Sequence, residues 1–240
     1  MLASPPAVSN TPFLLIPGLN STPDVFRHLV PALWPLGPVS LANHTEGEGI
    51  AGIAAAILRD APQRFALLGF SLGGYLAFEI IRQAPERVLK LCLLDTTARP
   101  DSPDATAKRR DRIAIARNGG FSKTLDGAYD DAVHPDHIGR ADLRALSKAM
   151  SLAVGAETFI RQQEAIIGRV DSRPTLKTIT VPTAVVVGDA DAITPVEAAR
   201  EMADGIAGAR LTIIERAGHL AVLEQPEATA GAVVAWARGN

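Results

Sequence analysis

Ser71 stands inside Gly69-Phe70-Ser71-Leu72-Gly73-Gly74, a Gly-x-Ser-x-Gly pattern. The pattern alone is weak in a chain with 20 glycines, but its setting is informative. It follows the apolar run Phe65 to Phe70 and opens a helical pattern, Leu72 to Gln83. A serine on such a strand-to-helix turn is lifted clear of the sheet, beside the unpaired first amides of the helix. Its hydroxyl is a poor nucleophile at neutral pH and needs a general base. Of the five histidines, His28, His44, His134 and His137 fall in helix or loop regions without a motif. His219, in Ala217-Gly218-His219-Leu220, comes just after the last strand and is the expected base. A base needs a carboxylate to fix its tautomer. Gly188-Asp189-Ala190-Asp191 closes another strand, and Asp191 is preferred. Asp189 is expected to bond turn amides, and Asp95, at the end of Leu91 to Leu94, is a weaker alternative. Acyl-transfer chemistry also requires donors for a tetrahedral oxyanion. The expected pair is the Leu72 amide, next to the nucleophile, and the Leu19 amide, in the loop Pro17-Gly18-Leu19-Asn20.

These residues need a scaffold that brings strand ends together. Short apolar runs alternate with helical patterns: strands are expected at Phe13 to Ile16, Pro38 to Ala42, Phe65 to Phe70, Val88 to Leu94, Thr183 to Val187 and Arg210 to Ile214. Helices are expected at Asp24 to Leu36, Ile50 to Asp60, Leu72 to Gln83, Pro195 to Ile206 and Pro226 to Arg238. That alternation specifies an α/β fold, a mostly parallel sheet with helices on both faces. From Arg99 to Asp171 the pattern is charged, Ala-rich and helical with no buried strand. The expected organisation is a core of 1–98 and 172–240 with a helical cap, 99–171, inserted into it. Within the cap, Phe121, Met150, Phe159 and Ile160 are candidates for an acyl pocket.

Composition narrows the partners. In 240 residues, 24 Lys+Arg oppose 26 Asp+Glu, a net charge of −2 that disfavours nucleic-acid binding. Residues 99–171 are balanced as well, which points to an uncharged ester, and Lys108-Arg109-Arg110 reads as a solvated helix face. A single cysteine, Cys92, reads as strand core and excludes an internal disulfide or a cysteine-cluster zinc site. His134-Pro135-Asp136-His137 has the look of a metal tract, yet no further ligand set accompanies it, so no metal is expected. No apolar run reaches membrane-span length. The residues before Phe13 show no basic and apolar signal pattern, so the expected compartment is the cytoplasm. Oligomeric state is unreadable.

Taken together, the order Ser71, Asp191, His219 and the segments Ile16-Pro17-Gly18-Leu19, Gly188-Asp189-Ala190-Asp191 with Pro195, and Gly218-His219 resemble the α/β-hydrolase superfamily. Within it the chain is similar to small capped esterases and 3-oxoadipate enol-lactonases, through Leu94-Asp95-Thr96-Thr97-Ala98-Arg99. The resemblance implies hydrolysis of a small ester, lactone or thioester through an acyl-enzyme, without a cofactor. Acyl transfer or lyase chemistry by the same residues, and a non-catalytic small-ligand receptor, are the alternatives. Three departures stand out. Pro17 replaces the family's histidine before Gly18, and the N-terminal hairpin is expected to be missing. Ala42-Asn43-His44-Thr45-Glu46-Gly47 also replaces the family's Asp-x-x-Gly-x-Gly loop.

Overall fold

The computed structural model describes residues 11–125 and 127–239. Six strands form one sheet: β1 (Phe13–Ile16), β2 (Val39–Leu41), β3 (Phe65–Phe70), β4 (Val88–Leu94), β5 (Thr183–Gly188) and β6 (Arg210–Ile214). Their order is β2-β1-β3-β4-β5-β6 and each neighbouring pair is parallel. The residues before Thr11, where an N-terminal hairpin would lie, are outside the described residues.

The six residues of β3 are all buried, and they divide by parity. Phe65 and Leu67 join the core on one face, with Ile53, Leu76 and Met202. Ala66, Leu68 and Phe70 join the other, with Leu29, Val233 and Trp236. This is the two-residue alternation of a strand covered on both sides. The first face is covered by α2 (Gly49–Asp60), α3 (Leu72–Gln83) and α8 (Val196–Gly205), the second by α1 (Leu29–Leu33) and α10 (Pro226–Arg238).

The helix expected over Asp24 to Leu36 is broken into a 3₁₀ turn at Pro23–Phe26, α1, and a second 3₁₀ turn at Trp34–Leu36. Pro31 and Pro35 each lack an N–H, so no continuous hydrogen-bond ladder can run through. The apolar spacing still does its work, because Val25, Leu29 and Leu33 are fully buried.

Between β4 and β5 the described residues hold no strand. They form α4 (Pro103–Ile115), α5 (Ala141–Val154), α6 (Ala156–Ile167) and the short α7 (Arg173–Leu176), with a wider π turn at Ala116–Gly120 and 3₁₀ turns at Phe121–Thr124 and Pro135–His137 between α4 and α5. One four-residue helix, α9 (Ala221–Glu224), follows β6.

The chain enters the sheet at β1, steps outward to β2, then crosses back to β3 and proceeds to the other edge. Loops after β1 and β3 therefore diverge at a switch in strand order, where open parallel sheets bind ligands. Close approach at that point is achieved through Gly73: a Cβ there would sit 2.1 Å from the Ile16 carbonyl oxygen. Helix propensity alone favours alanine over glycine by about 1 kcal/mol. Gly73→Ala is nonetheless expected to destabilise by ~1–3 kcal/mol through overpacking against backbone, read as a lower urea midpoint.

Candidate active site

Ser71 sits between β3 and α3 with φ 53° and ψ −114°, a conformation that costs an L-residue energy. Hydrogen bonds hold it there. Ser71 N donates to Leu94 O at 3.0 Å, while Ser71 O accepts from Gly74 N and Thr96 Oγ1, both at 2.8 Å. The tightness of the turn explains Gly69, where a Cβ would lie 2.3 Å from Gly73 O.

The structure brings the three expected side chains together. Ser71 Oγ lies 2.8 Å from His219 Nε2, and His219 Nδ1 lies 2.9 Å from Asp191 Oδ2. Asp191 Oδ1 also accepts from the amides of Ile193 and Thr194, each at 2.8 Å, and Oδ2 from Thr194 Oγ1 at 2.6 Å. Burial pushes the Asp191 carboxyl up, but the His219 charge and the hydrogen bonds from His219 and Thr194 outweigh it, leaving the pKa below the ordinary value. The side chain is thus held as a carboxylate, which fixes the imidazole with its proton on Nδ1 and its lone pair on Nε2, facing Ser71. Asp189 turns away and accepts from Ala217 N at 3.1 Å, as expected for a turn residue.

The residue that holds His219 was missed by sequence reasoning. Glu224, in α9, has a fully buried side chain. Its Oε1 accepts from Gly218 N at 2.9 Å and Leu220 N at 3.2 Å, on either side of the histidine. Its Oε2 accepts from His134 N at 2.7 Å and meets His137 Nδ1 at 2.8 Å. His219 N itself donates to Ala132 O at 2.6 Å. The His137 side chain and the His134 main chain therefore serve this hub, while the His134 ring Nδ1 accepts from Asp136 N at 3.1 Å. Among the described residues, no three metal-ligating side chains come together there or elsewhere.

Gly18 and Leu19 follow β1 and pass close to Ser71: a Cβ on Gly18 would lie 3.2 Å from Ser71 Cβ. The Leu72 amide is the first in α3 and has no partner within the helix. Both expected oxyanion donors thus belong to backbone that borders the serine.

Ser71 and His219 open into a cavity of about 460 Å³. Met150 and Phe159 line it as expected; Phe121 and Ile160 do not. Phe121 packs on Phe159, with ring centroids 5.3 Å apart, and Ile160 packs against the same cluster. On α6 it is Phe159, Gln163 and Ile166, spaced by four and three, that face the cavity, and Ile160 is one position, about 100°, away. Lys108 and Arg109 also reach the wall, joined by Arg112, Arg144 and Lys148. The expected solvated face of α4 is thus partly a cavity wall. Among the described residues three buried side-chain atoms lack a hydrogen-bond partner: Asn20 Oδ1, Asp95 Oδ2 and Gln163 Nε2. Asn20 and Gln163 line the cavity.

A family model described as "Alpha/beta hydrolase family" matches residues 13–232. The chain belongs to the alpha/beta hydrolase family. A pimeloyl-[acyl-carrier protein] methyl ester esterase of Neisseria meningitidis serogroup B is 31% identical, over 90% of this chain and 88% of that protein. The same-named esterase of Aromatoleum aromaticum is 27% identical over 89% of this chain and 93% of its own length. Among solved structures, a thermophilic esterase from Thermogutta terrifontis superimposes with a TM-score of 0.87 and 27% identity, over 96% of this chain and 90% of that one. The enol-lactonase from Burkholderia xenovorans LB400, at TM-score 0.82 and 24% identity over 95% and 91%, shares the fold. Within this hydrolase chain no helix of the described residues is long and apolar enough to cross a membrane.

Asp95, the weaker sequence alternative, is fully buried behind the site, where its Oδ1 accepts from Gly188 N at 3.0 Å. Burial, reinforced by the Asp191 charge, raises its pKa well above the ordinary value. A carboxyl whose folded pKa exceeds its unfolded pKa contributes full stability below the unfolded value, near 4, and loses it as pH rises towards the folded value, at about 1.4 kcal/mol per pH unit. Asp95→Asn removes that loss and tolerates the positive φ of 44° at this position. The variant's melting temperature is expected to exceed the parent's at pH 7 by more than at pH 4.

Proposed function

We propose that the protein is a serine-dependent carboxylic ester hydrolase. The observation that carries the reading is the hydrogen-bonded series Ser71, His219, Asp191 opening into the cavity; the kinship with esterases supports it. Ser71 Oγ attacks the ester carbonyl carbon while His219 Nε2 takes its proton. The Leu19 and Leu72 amides receive the oxyanion, and loss of one such donor costs ~3–4 kcal/mol of transition-state stabilisation. His219 then protonates the departing alkoxide, giving an alcohol and an acyl-Ser71. Water, deprotonated by His219, attacks the acyl carbon and releases the acid. Asp191 stabilises the imidazolium in both halves. Segment 99–171 acts as a cap: its helices α4, α5 and α6 supply much of the cavity wall.

A more specific reading follows from the wall's charge. Among the described residues of the wall, Lys108, Arg109, Arg112, Arg144 and Lys148 outnumber one acid, Asp131, which pairs with Arg112 at 3.8 Å. Arg109 is engaged by Asp101 and Gln163, and Arg144 by Asp130. Lys108 and Lys148 carry no hydrogen bond or ion pair among the described residues and are exposed. The balance of charge over 99–171 conceals this one-sided placement, which favours an ester with an anionic far end over an uncharged one. A methyl ester of an acyl group borne on a carrier protein, the substrate named for the Neisseria relative, is a concrete candidate.

Ser71→Ala and His219→Ala are each expected to lower kcat/KM for a short p-nitrophenyl ester by at least about a thousandfold. A fluorophosphonate probe should label the parent at Ser71 and leave Ser71→Ala unlabelled. An unlabelled parent would favour the receptor alternative. The charge reading predicts that the Lys108→Glu/Lys148→Glu pair raises KM for a monoester of a dicarboxylic acid roughly fivefold or more at low salt. The difference should shrink with added salt, because exposed charges are screened, and KM for a neutral ester should stay within about twofold.

A further inference from the structure

The Gly18–Leu19 peptide is the half of the oxyanion site that no helix holds. Pro17 precedes it, and a proline side chain has nothing with which to brace a turn by hydrogen bonding. The brace comes from elsewhere in the chain. His44, in the loop after β2, places Nε2 2.9 Å from Gly18 O. The acceptor is a carbonyl, so the nitrogen donates, and this sets the tautomer. The ring is 3% exposed; burial lowers its pKa, with the Gly18 bond opposing, so it is a neutral donor near pH 7. Ser21 N donates to the same oxygen at 3.2 Å.

A second side chain ties this arrangement to α6. Gln162 is 1% exposed. Its Oε1 accepts from Asn20 N at 3.4 Å, and its Nε2 donates to His44 O at 3.3 Å. Asn20 stands at φ 59°, a conformation that needs such support. The peptide group is planar and trans, so its C=O and N–H point in opposite directions. Fixing Gly18 O against His44 therefore fixes the direction of Leu19 N–H on the other side, where Leu19 and Ser71 border the cavity.

We propose that His44, braced by Gln162, is a positioning residue that aims the Leu19 amide at the oxyanion. It takes over, from a different loop, the support that Pro17 cannot give. This inference rests on the ester-hydrolase reading above. Gln162 makes the aim depend on the inserted helical segment, so that the seating of α6 bears directly on transition-state binding.

The test compares His44→Phe, which keeps a ring but no donor, with His44→Gln, which keeps an N–H. Two quantities are read: kcat on a p-nitrophenyl ester, and the affinity of a trifluoromethyl ketone, whose adduct with the serine carries an oxyanion. His44→Phe is expected to lower both by a matching factor of roughly ten or more, with KM within about threefold, since only the transition state gains from the donor. His44→Gln should recover most of each loss. The inference is overturned if His44→Phe leaves both unchanged, or if kcat falls without a matching loss of inhibitor affinity. Should His44→Phe fail to fold, Gln162→Ala carries the same paired measurement through the neighbouring bonds, with a loss of several-fold in both expected and no change in either overturning the proposal. A fluorophosphonate that does not label Ser71 in the parent sinks the underlying reading. A labelled Ser71 with unaltered His44→Phe behaviour sinks only this inference.

Discussion

At the junction of β3 and α3, the Ser71 backbone is held at φ 53° and ψ −114°. Such a conformation costs of order 1–3 kcal/mol and persists only where its surroundings over-determine it. Here they do so by backbone contact. The Ser71 carbonyl is gripped by Gly74 N and the Thr96 hydroxyl, and its amide by Leu94 O in the neighbouring strand. Gly69 and Gly73 let α3 close onto β3 and β1 with no side chain between them. The remaining site residues are placed relative to this turn, because parallel strands deliver the loops after β1, β5 and β6 to the same sheet edge.

Placement of the imidazole depends on polar connections that run in two directions. Asp191 meets its Nδ1, and Glu224 holds the main chain on either side of it. Glu224 also joins the segment 132–137, which itself receives the His219 amide. The residues between β4 and β5 are thereby linked to the rest of the chain through the site, on the His219 side by Glu224 and on the Leu19 side by His44 and Gln162. Buried carboxylates and imidazoles in such numbers are costly unless each is bonded. Glu224 collects four donors. Among the described residues only Asp95 retains a buried carboxyl oxygen without a partner. Burial and the Asp191 charge raise its pKa, and burial also pushes the adjoining thiol of Cys92, a strand-core residue, upward.

Much of the sheet was legible because buried parallel strands are apolar on both faces and are punctuated by turns. Phe65–Phe70, Val88–Leu94 and Arg210–Ile214 are found with their expected bounds. That Ser71, Asp191 and His219 come together was legible because each follows a recognisable strand end, and strand ends in a parallel sheet converge. Asp24 to Leu36 has the apolar spacing of one helix, but Pro31 and Pro35 interrupt the ladder. Of the four pocket candidates, Met150 and Phe159 reach the cavity, while Phe121 and Ile160 pack in a neighbouring cluster.

The sequence by itself determined the local chemistry: a serine on a glycine-flanked turn, the order of its partners, and the alternation of strand and helix. These follow from short-range sterics and periodicity, which a linear pattern records. The tertiary structure alone decided which distant groups serve the site. Glu224, His44 and Gln162 carry no motif, and their partners lie up to 142 residues away. The balanced charge of residues 99–171 likewise conceals a cavity wall on which Lys108, Arg109, Arg112, Arg144 and Lys148 gather, a placement that only the fold sets. Hydrogen bonds and charge pairing act through space, and a composition averages over the directions that a fold makes unequal.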